Sequence, residues 1–146
     1  TSEDILPETF DVIVTNPPFG KKLSIDSTDI LNLYNLGHKW NPLPNGGFEM
    51  GALADKQPPQ LLFIERCFQM LRPGGRLGIV LLESIFGMPK YQYVVNYIRS
   101  QAKINAVVTL PEDLFQPHTH AKCCVLVCQK YKKANPLHPV AIMIFL

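Results

Sequence analysis

The tetrapeptide Asn16-Pro17-Pro18-Phe19 brings together residue types that could hold and orient a planar amine. It follows the apolar run Phe10–Thr15, which is rich in β-branched residues and is therefore predicted to be a buried strand. Each proline fixes its own φ angle and lacks an N–H donor, so the Asn side chain and the adjacent carbonyl groups are held in a fixed arrangement. Two acceptors beside an aromatic ring suit methyl transfer to an exocyclic amino group, whose nitrogen must be oriented.

The predicted position of this tetrapeptide favours a functional role. In open α/β sheets, reactive groups lie just beyond the carboxyl ends of strands, and Asn16 is predicted at such an end. A strand-to-loop turn with a capping Asn is the alternative, because Asn-Pro is common in turns. The whole tetrapeptide after an Asp-Val-Ile-Val strand is far more specific than Asn-Pro alone, and it favours the functional interpretation.

The rest of the chain is predicted to alternate between helices and strands. Two helices are indicated by apolar residues at helical spacing, the first with Leu61, Ile64, Phe68 and Leu71 and the second with Tyr91, Val94, Val95 and Ile98. Further strands are predicted over 76–82, 104–110, 122–130 and 140–146. This order predicts an α/β fold with a mostly parallel sheet and an antiparallel strand at its edge.

The segment 19–60 is weakly patterned and contains several prolines and glycines. It is predicted to be a long loop after the tetrapeptide, with a short helix near residues 28–36. Loops of this length inside a compact domain are uncommon and are often functional. The total length of 146 residues suits one domain.

The composition excludes several classes of protein. With 47% hydrophobic and 18% charged residues, the chain has the composition of a globular domain. Its net charge of +2 is too weak to indicate nucleic-acid binding by itself, and the lysines at 130, 132 and 133 are interpreted as a solvated strand end. No apolar run reaches the ~18 residues of a membrane span, and no signal peptide is apparent, so a cytoplasmic protein is expected.

Four cysteines lie in apolar surroundings and are interpreted as reduced core residues: Cys67, Cys123, Cys124 and Cys128. A zinc site that also uses the histidines at 118 and 120 is the alternative. However, Cys123 is predicted on the opposite strand face from Cys124 and Cys128, and no C-x2-C pair is present. The sequence therefore predicts no metal site.

Three segments carry a resemblance to a known family: 10–20, 71–76 and 107–115. They read Phe-Asp-Val-Ile-Val-Thr-Asn-Pro-Pro-Phe-Gly, Leu-Arg-Pro-Gly-Gly-Arg and Val-Val-Thr-Leu-Pro-Glu-Asp-Leu-Phe. Together they resemble the modification subunits of type I restriction–modification systems, which are N6-adenine-specific DNA methyltransferases. Pro-Gly-Gly before a strand is shared by many methyltransferases, whereas Leu-Pro-x-x-Leu-Phe narrows the match to this subunit family and its fused relatives.

The resemblance implies a Rossmann-like S-adenosylmethionine-dependent methyltransferase fold, of which residues 1–146 would be a single partial domain, the C-terminal half. The implied reaction is methylation of the N6 amine of a flipped adenine in DNA. The Asn16 side-chain oxygen and the Pro17 carbonyl would accept hydrogen bonds from this amine. Phe19 would stack on the base, and Pro18 would set the backbone.

The resemblance also implies the cofactor S-adenosylmethionine, near Asn16 and Asp4, although Asp4 has a solvated N-terminal carboxylate as its alternative interpretation. The chain departs from the family pattern here, because it has no Gly-x-Gly turn and no acidic residue placed to hold the ribose hydroxyls. We therefore expect the main cofactor loop to lie outside this chain and the isolated chain to be inactive. The implied partners are double-stranded DNA with a flipped adenine and the specificity and restriction subunits.

Two other functions stay open. The motif could present a protein glutamine or an RNA guanine, although families that do so more often carry Tyr at the position of Phe19. A scaffold module that keeps the fold without catalysis is the third possibility. Lesser candidates for phosphate or pocket contacts are His118, His120, Glu83 and Ser84. Three aromatic residues of the long loop are expected to cover the core instead of touching DNA: Tyr34, Trp40 and Phe48.

Overall fold

The computed structural model describes residues 6–20, 22–117, 119–132 and 144–145. The strands are β1 (Phe10–Thr15), β2 (His38–Pro42), β3 (Phe48–Leu53), β4 (Leu71–Leu82), β5 (Ala102–Thr109), β6 (Cys123–Lys130) and β7 (Ile144–Phe145). The α-helices are α1 (Thr28–Leu31), α2 (Pro59–Met70), α3 (Ser84–Gly87) and α4 (Gln92–Gln101), with 3-10 turns at Asn35–Gly37 and Pro89–Tyr91. Asp4, His118 and most of the predicted final strand lie outside the described residues.

Five strands form one mixed sheet in the order β1-β4-β6-β5-β7. The pairs β1–β4 and β5–β7 are parallel, whereas β6 is antiparallel to both β4 and β5. The predicted α/β class is therefore confirmed, but the prediction of a mostly parallel sheet with an antiparallel strand at its edge is wrong. The antiparallel strand lies inside the sheet, and most paired residues belong to its two antiparallel ladders. Strands β1, β4 and β5 still point the same way.

Strand β6 separates β4 from β5 in the sheet. Helix α4 leads from β4 to β5, which point the same way, yet these two strands are not neighbours. The described residues between β5 and β6 include no helix, so the chain turns back and β6 pairs with both strands as an antiparallel strand.

The core lies on one face of this sheet. Buried side chains of α2 and α4 form a single cluster with alternate residues of β4, β5 and β6. The opposite face is less covered, and on β1 it exposes Val12 and Val14 to 55% and 82%. The prediction that β1 is a buried strand is therefore wrong within the described chain, although its bounds are as predicted.

The segment 19–60, where the sequence indicates a long loop, contains α1, a 3-10 turn and the hairpin of β2 and β3. Glu65 of α2 holds this segment against the core. Its two carboxylate oxygens accept hydrogen bonds from the backbone N–H groups of Asn35 and Leu36, at 2.9 and 2.8 Å. The periodicity indicates that Glu65 lies off the buried stripe, yet it is only 3% exposed. Its contact with a distant turn explains the difference.

Lys130 also departs from the sequence-based expectation of a solvated strand end. Its side chain is 12% exposed, and Nζ forms an ion pair with Glu8 at 3.1 Å. The same ammonium donates to the carbonyl oxygens of Phe68 and Leu71, at 2.7 and 2.9 Å. These carbonyls lie at the end of α2, where a positive charge is favourable. Lys130 therefore fastens the end of α2 to β6.

The Pro-Gly-Gly sequence forms a bulge within β4, where pairing with β1 jumps from Leu71 to Arg76. Gly74 has φ +81°, a backbone conformation that side chains disfavour. A Cβ atom on Gly75 would lie 3.1 Å from the backbone oxygen of Asp11. The two glycines therefore let β1 and β4 run side by side after the bulge.

No helix in the described part of the chain is long and apolar enough to cross a membrane.

Candidate functional site

Asn16 lies immediately beyond the carboxyl end of β1, as the sequence predicts. It is exposed, and its side chain makes no hydrogen bond to any other residue that the structure describes. The next residue, Pro17, is buried, whereas Pro18 is exposed. Pro17 therefore anchors the backbone, while the amide oxygen of Asn16 remains able to accept a hydrogen bond from a ligand.

Phe19 meets a second aromatic ring that comes from a distant part of the chain. The ring centroids of Phe19 and Phe115 are 5.7 Å apart, with an interplanar angle of 84°. Both side chains are half-buried, so each keeps part of its ring surface accessible. Sequence reasoning did not give Phe115 a role of its own. The signal that could have found it is the Leu-Pro-x-x-Leu-Phe segment, which ends on this residue.

A cavity of about 780 Å³ opens beside Phe19. Its wall is built by Pro18 and Phe19 after β1, the start of α2, Leu82 and Ser84 at the end of β4, and the segment 119–121. This volume lies within the ordinary range of about 300–1,000 Å³ for small-ligand pockets. Asn16 and Pro17 do not belong to the lining, so the structure brings only the second half of the tetrapeptide into the cavity wall.

The charge around the cavity is positive. Lys56 and Lys90 supply this charge, and no Asp or Glu side chain lines the cavity among the described residues. Lys90 Nζ also lies 4.9 Å from the ring centroid of Tyr91. Cationic side chains around an aromatic cavity suit a ligand that has a planar ring and a nearby anionic group.

The remaining candidates fall into two groups. Ser84 and His120 line the cavity beside Phe19, whereas Glu83 lines a separate cavity of about 610 Å³. Trp40 covers the core as expected, because its ring stacks on Tyr93 at 6.5 Å and its Nε1 donates to the Asn35 carbonyl at 3.0 Å. Tyr34 and Phe48 are half-buried.

The four cysteines are free thiols, and all four are buried. Burial raises the pKa of Cys67 to about 11 and the pKa values of Cys124 and Cys128 to about 12. These thiols are therefore protonated at neutral pH. Within the described ranges, no three His, Cys, Asp or Glu side chains are arranged to hold a metal ion.

Residues 2–144 match the family described as N-6 DNA Methylase. The Type II methyltransferase M.XhoI of Xanthomonas vasicola is 29% identical over 119 residues, which are 73% of this chain. The Type I restriction enzyme EcoEI methylase subunit of Escherichia coli is 27% identical over 126 residues, which are 84% of this chain. The chain spans about a fifth of these relatives, 19% and 21% of their lengths.

The fold also resembles solved structures. A putative class I S-adenosylmethionine-dependent methyltransferase from Listeria monocytogenes superposes with a TM-score of 0.65 at 20% sequence identity. The match covers 94% of this chain and 37% of that protein. At this identity the likeness concerns the fold alone.

Proposed function

Since the chain belongs to the N-6 DNA methylase family, a family of adenine-specific DNA methyltransferases, we propose that it presents the N6 amine of an adenine in DNA for methylation. The observation that carries this proposal is the Asn-Pro-Pro-Phe loop at the end of β1, with its second ring Phe115 and the adjoining cavity. A base inside duplex DNA cannot reach such a cavity, so the adenine would be flipped out of the helix.

Asn16 and Pro17 would orient the amine. The side-chain oxygen of Asn16 and the carbonyl oxygen of Pro17 would each accept one N–H of the adenine amine, which turns the nitrogen lone pair towards the methyl donor. As the nitrogen gains positive charge in the transition state, these two oxygens stabilise it. The exposure of Asn16 and the burial of Pro17 support these roles, because one side chain stays accessible and the other fixes the backbone.

Phe19 and Phe115 would hold the adenine ring. Two rings set nearly perpendicular to each other offer one face for stacking and one edge for lateral contact with a planar base. Lys56 and Lys90 at the same cavity would contact the DNA phosphates that flank the base. Base stacking would contribute most of the affinity for the ring, and the lysines would position the strand.

The cofactor of this reaction would be S-adenosylmethionine, which supplies the methyl group when bound. The residues present fit only part of such a site. Asn16 has an unengaged amide at the strand edge, and Asp4 is a second candidate contact, but the sequence has no Gly-x-Gly turn to cradle the cofactor. We therefore propose that the main cofactor loop is provided from outside these 146 residues and that the chain alone is inactive.

We further propose that residues 1–146 are one part of a larger catalytic domain. The chain spans only 19% and 21% of the relatives' lengths, which supports this proposal. The exposure of Val12 and Val14 also supports it, because further polypeptide would cover these apolar side chains. The similarity to a type I methylase subunit supports a role in a restriction–modification system with specificity and restriction subunits. Cellular DNA as the substrate would place the protein in the cytoplasm.

Methylation assays on the full-length protein test this function. Asn16→Ala is expected to lower methyl incorporation at adenine N6 by about 100-fold or more, the effect of removing one oriented polar contact from a transition state. Asn96→Ala is the matched control, because Asn96 is an exposed residue of α4. An Asn16→Ala protein with unchanged activity would contradict the proposed role, and methylation of protein or RNA in place of DNA would contradict the proposed substrate.

A further inference from the structure

Gln60 is a buried amide with one unused end. Its side chain lies in the first turn of α2 and is 2% exposed. Oε1 accepts a hydrogen bond from the backbone N–H of Leu82, at 3.3 Å. Nε2 has no hydrogen-bond partner among the residues that the structure describes. Because Oε1 faces an N–H donor, rotating the amide by 180° would set two donors against each other, so the free end is the donor end.

Gln60 also lines the cavity beside Phe19. Gln60 is hydrogen-bonded to Leu82, and Leu82 and Pro18 belong to the same wall. Gln60, whose Nε2 is buried and without a partner among the described residues, therefore lies in the same cavity wall as Phe19.

A buried donor without a partner is unfavourable, so a ligand that accepted a hydrogen bond from it would be stabilised. We propose that Gln60 Nε2 donates a hydrogen bond to a ring nitrogen of the base held in this cavity, and so contributes to the choice of adenine. This inference rests on the proposed function. The planar adenine ring has nitrogen acceptors at N1, N3 and N7, whereas its amine is a donor and cannot pair with Nε2. Gln60 thus acts on the ring, and Asn16 acts on the amine.

The test combines substrate analogues with a variant of the full-length protein. DNA that carries 1-deaza-, 3-deaza- or 7-deazaadenine at the target position lacks one ring acceptor at a time. One of the three is expected to lower kcat/KM of the wild-type protein by about 10-fold relative to the other two, as the loss of one buried hydrogen bond predicts. In the Gln60→Met variant, kcat/KM for DNA with an ordinary adenine is expected to fall by about the same factor. The analogue that lowers kcat/KM of the wild-type protein should then cause no further loss in this variant.

Two further variants separate this role from a structural one. Gln69→Met changes a half-buried glutamine of the same helix and should leave the discrimination among analogues intact. Gln60→Glu keeps an acceptor for the Leu82 N–H group and serves if Gln60→Met fails to fold. The inference is overturned if the wild-type protein methylates all three analogues equally, or if Gln60→Met keeps the wild-type discrimination. A wild-type protein that methylates no DNA adenine would instead overturn the proposed function.

Discussion

The ring of Phe115 stands edge-on to the ring of Phe19, with 5.7 Å between centroids and 84° between planes. The two residues are far apart in the chain, and one follows β1 whereas the other follows β5. Because β1 and β5 point the same way, their following loops meet at one edge of the sheet. The shared direction of β1 and β5 therefore puts both loops at the same end of the sheet, where the aromatic pair lies beside the cavity.

The first prediction concerns this aromatic pair. In the full-length protein, Phe19→Ala and Phe115→Ala are each expected to lower kcat/KM for DNA methylation by about 10-fold or more, because stacking on a base contributes about 1–3 kcal/mol. Phe19→Tyr should keep most of the activity, since the ring is retained. Phe63→Ala is the control, because Phe63 is 40% exposed on α2. Full activity in Phe19→Ala would refute the stacking role.

The second prediction concerns Glu65. Glu65→Ala is expected to lower the free energy of unfolding by about 2–5 kcal/mol, because it leaves the N–H groups of Asn35 and Leu36 without their acceptors. Urea unfolding followed by circular dichroism measures this change. Glu49→Ala, at an exposed glutamate of β3, should change the stability by less than about 0.5 kcal/mol. Equal stability of the two variants would show that the carboxylate does not hold the segment.

The third prediction concerns Lys130. Lys130→Met keeps the aliphatic stem but removes the ammonium that pairs with Glu8 and with two carbonyls at the end of α2. We expect a loss of about 1–3 kcal/mol in the free energy of unfolding, and faster amide hydrogen exchange in the last turn of α2. Lys103→Met, at an exposed position of β5, is the control. Unchanged exchange in α2 would contradict the fastening role.

The fourth prediction concerns pH. The pKa of Cys128 is raised by burial from 9.0 to about 12, so the unfolded chain releases this proton at a lower pH than the folded chain. The thiol therefore favours folding fully below pH 9, and this contribution is lost as the pH rises towards 12. The stability difference between the wild type and Cys128→Ala should shrink by about 1.4 kcal/mol per pH unit over this interval. A stability difference that does not change with pH over this interval would contradict the raised pKa of the buried Cys128 thiol.

Much of the site follows from local sequence. The apolar run rich in β-branched residues and the two prolines predict where β1 ends, and the structure ends it at Thr15, directly before Asn16. The helices at 59–70 and 92–101 follow from apolar periodicity together with Pro59 at the helix start. These features depend on backbone geometry and on neighbours within a few residues, which a single sequence displays.

The tertiary structure decided the contacts between distant segments. It inserted β6 between β4 and β5, buried Glu65 and Lys130 against backbone groups, and set Phe115 beside Phe19. Each of these features depends on which strands become neighbours in the sheet, or on which buried backbone group needs a hydrogen-bond partner. Such choices are made by packing and by the pairing of buried polar groups across the fold, and local periodicity does not record them. The sequence alone thus determined where the Asn-Pro-Pro-Phe loop follows β1, whereas the packing of distant segments decided the cavity beside it.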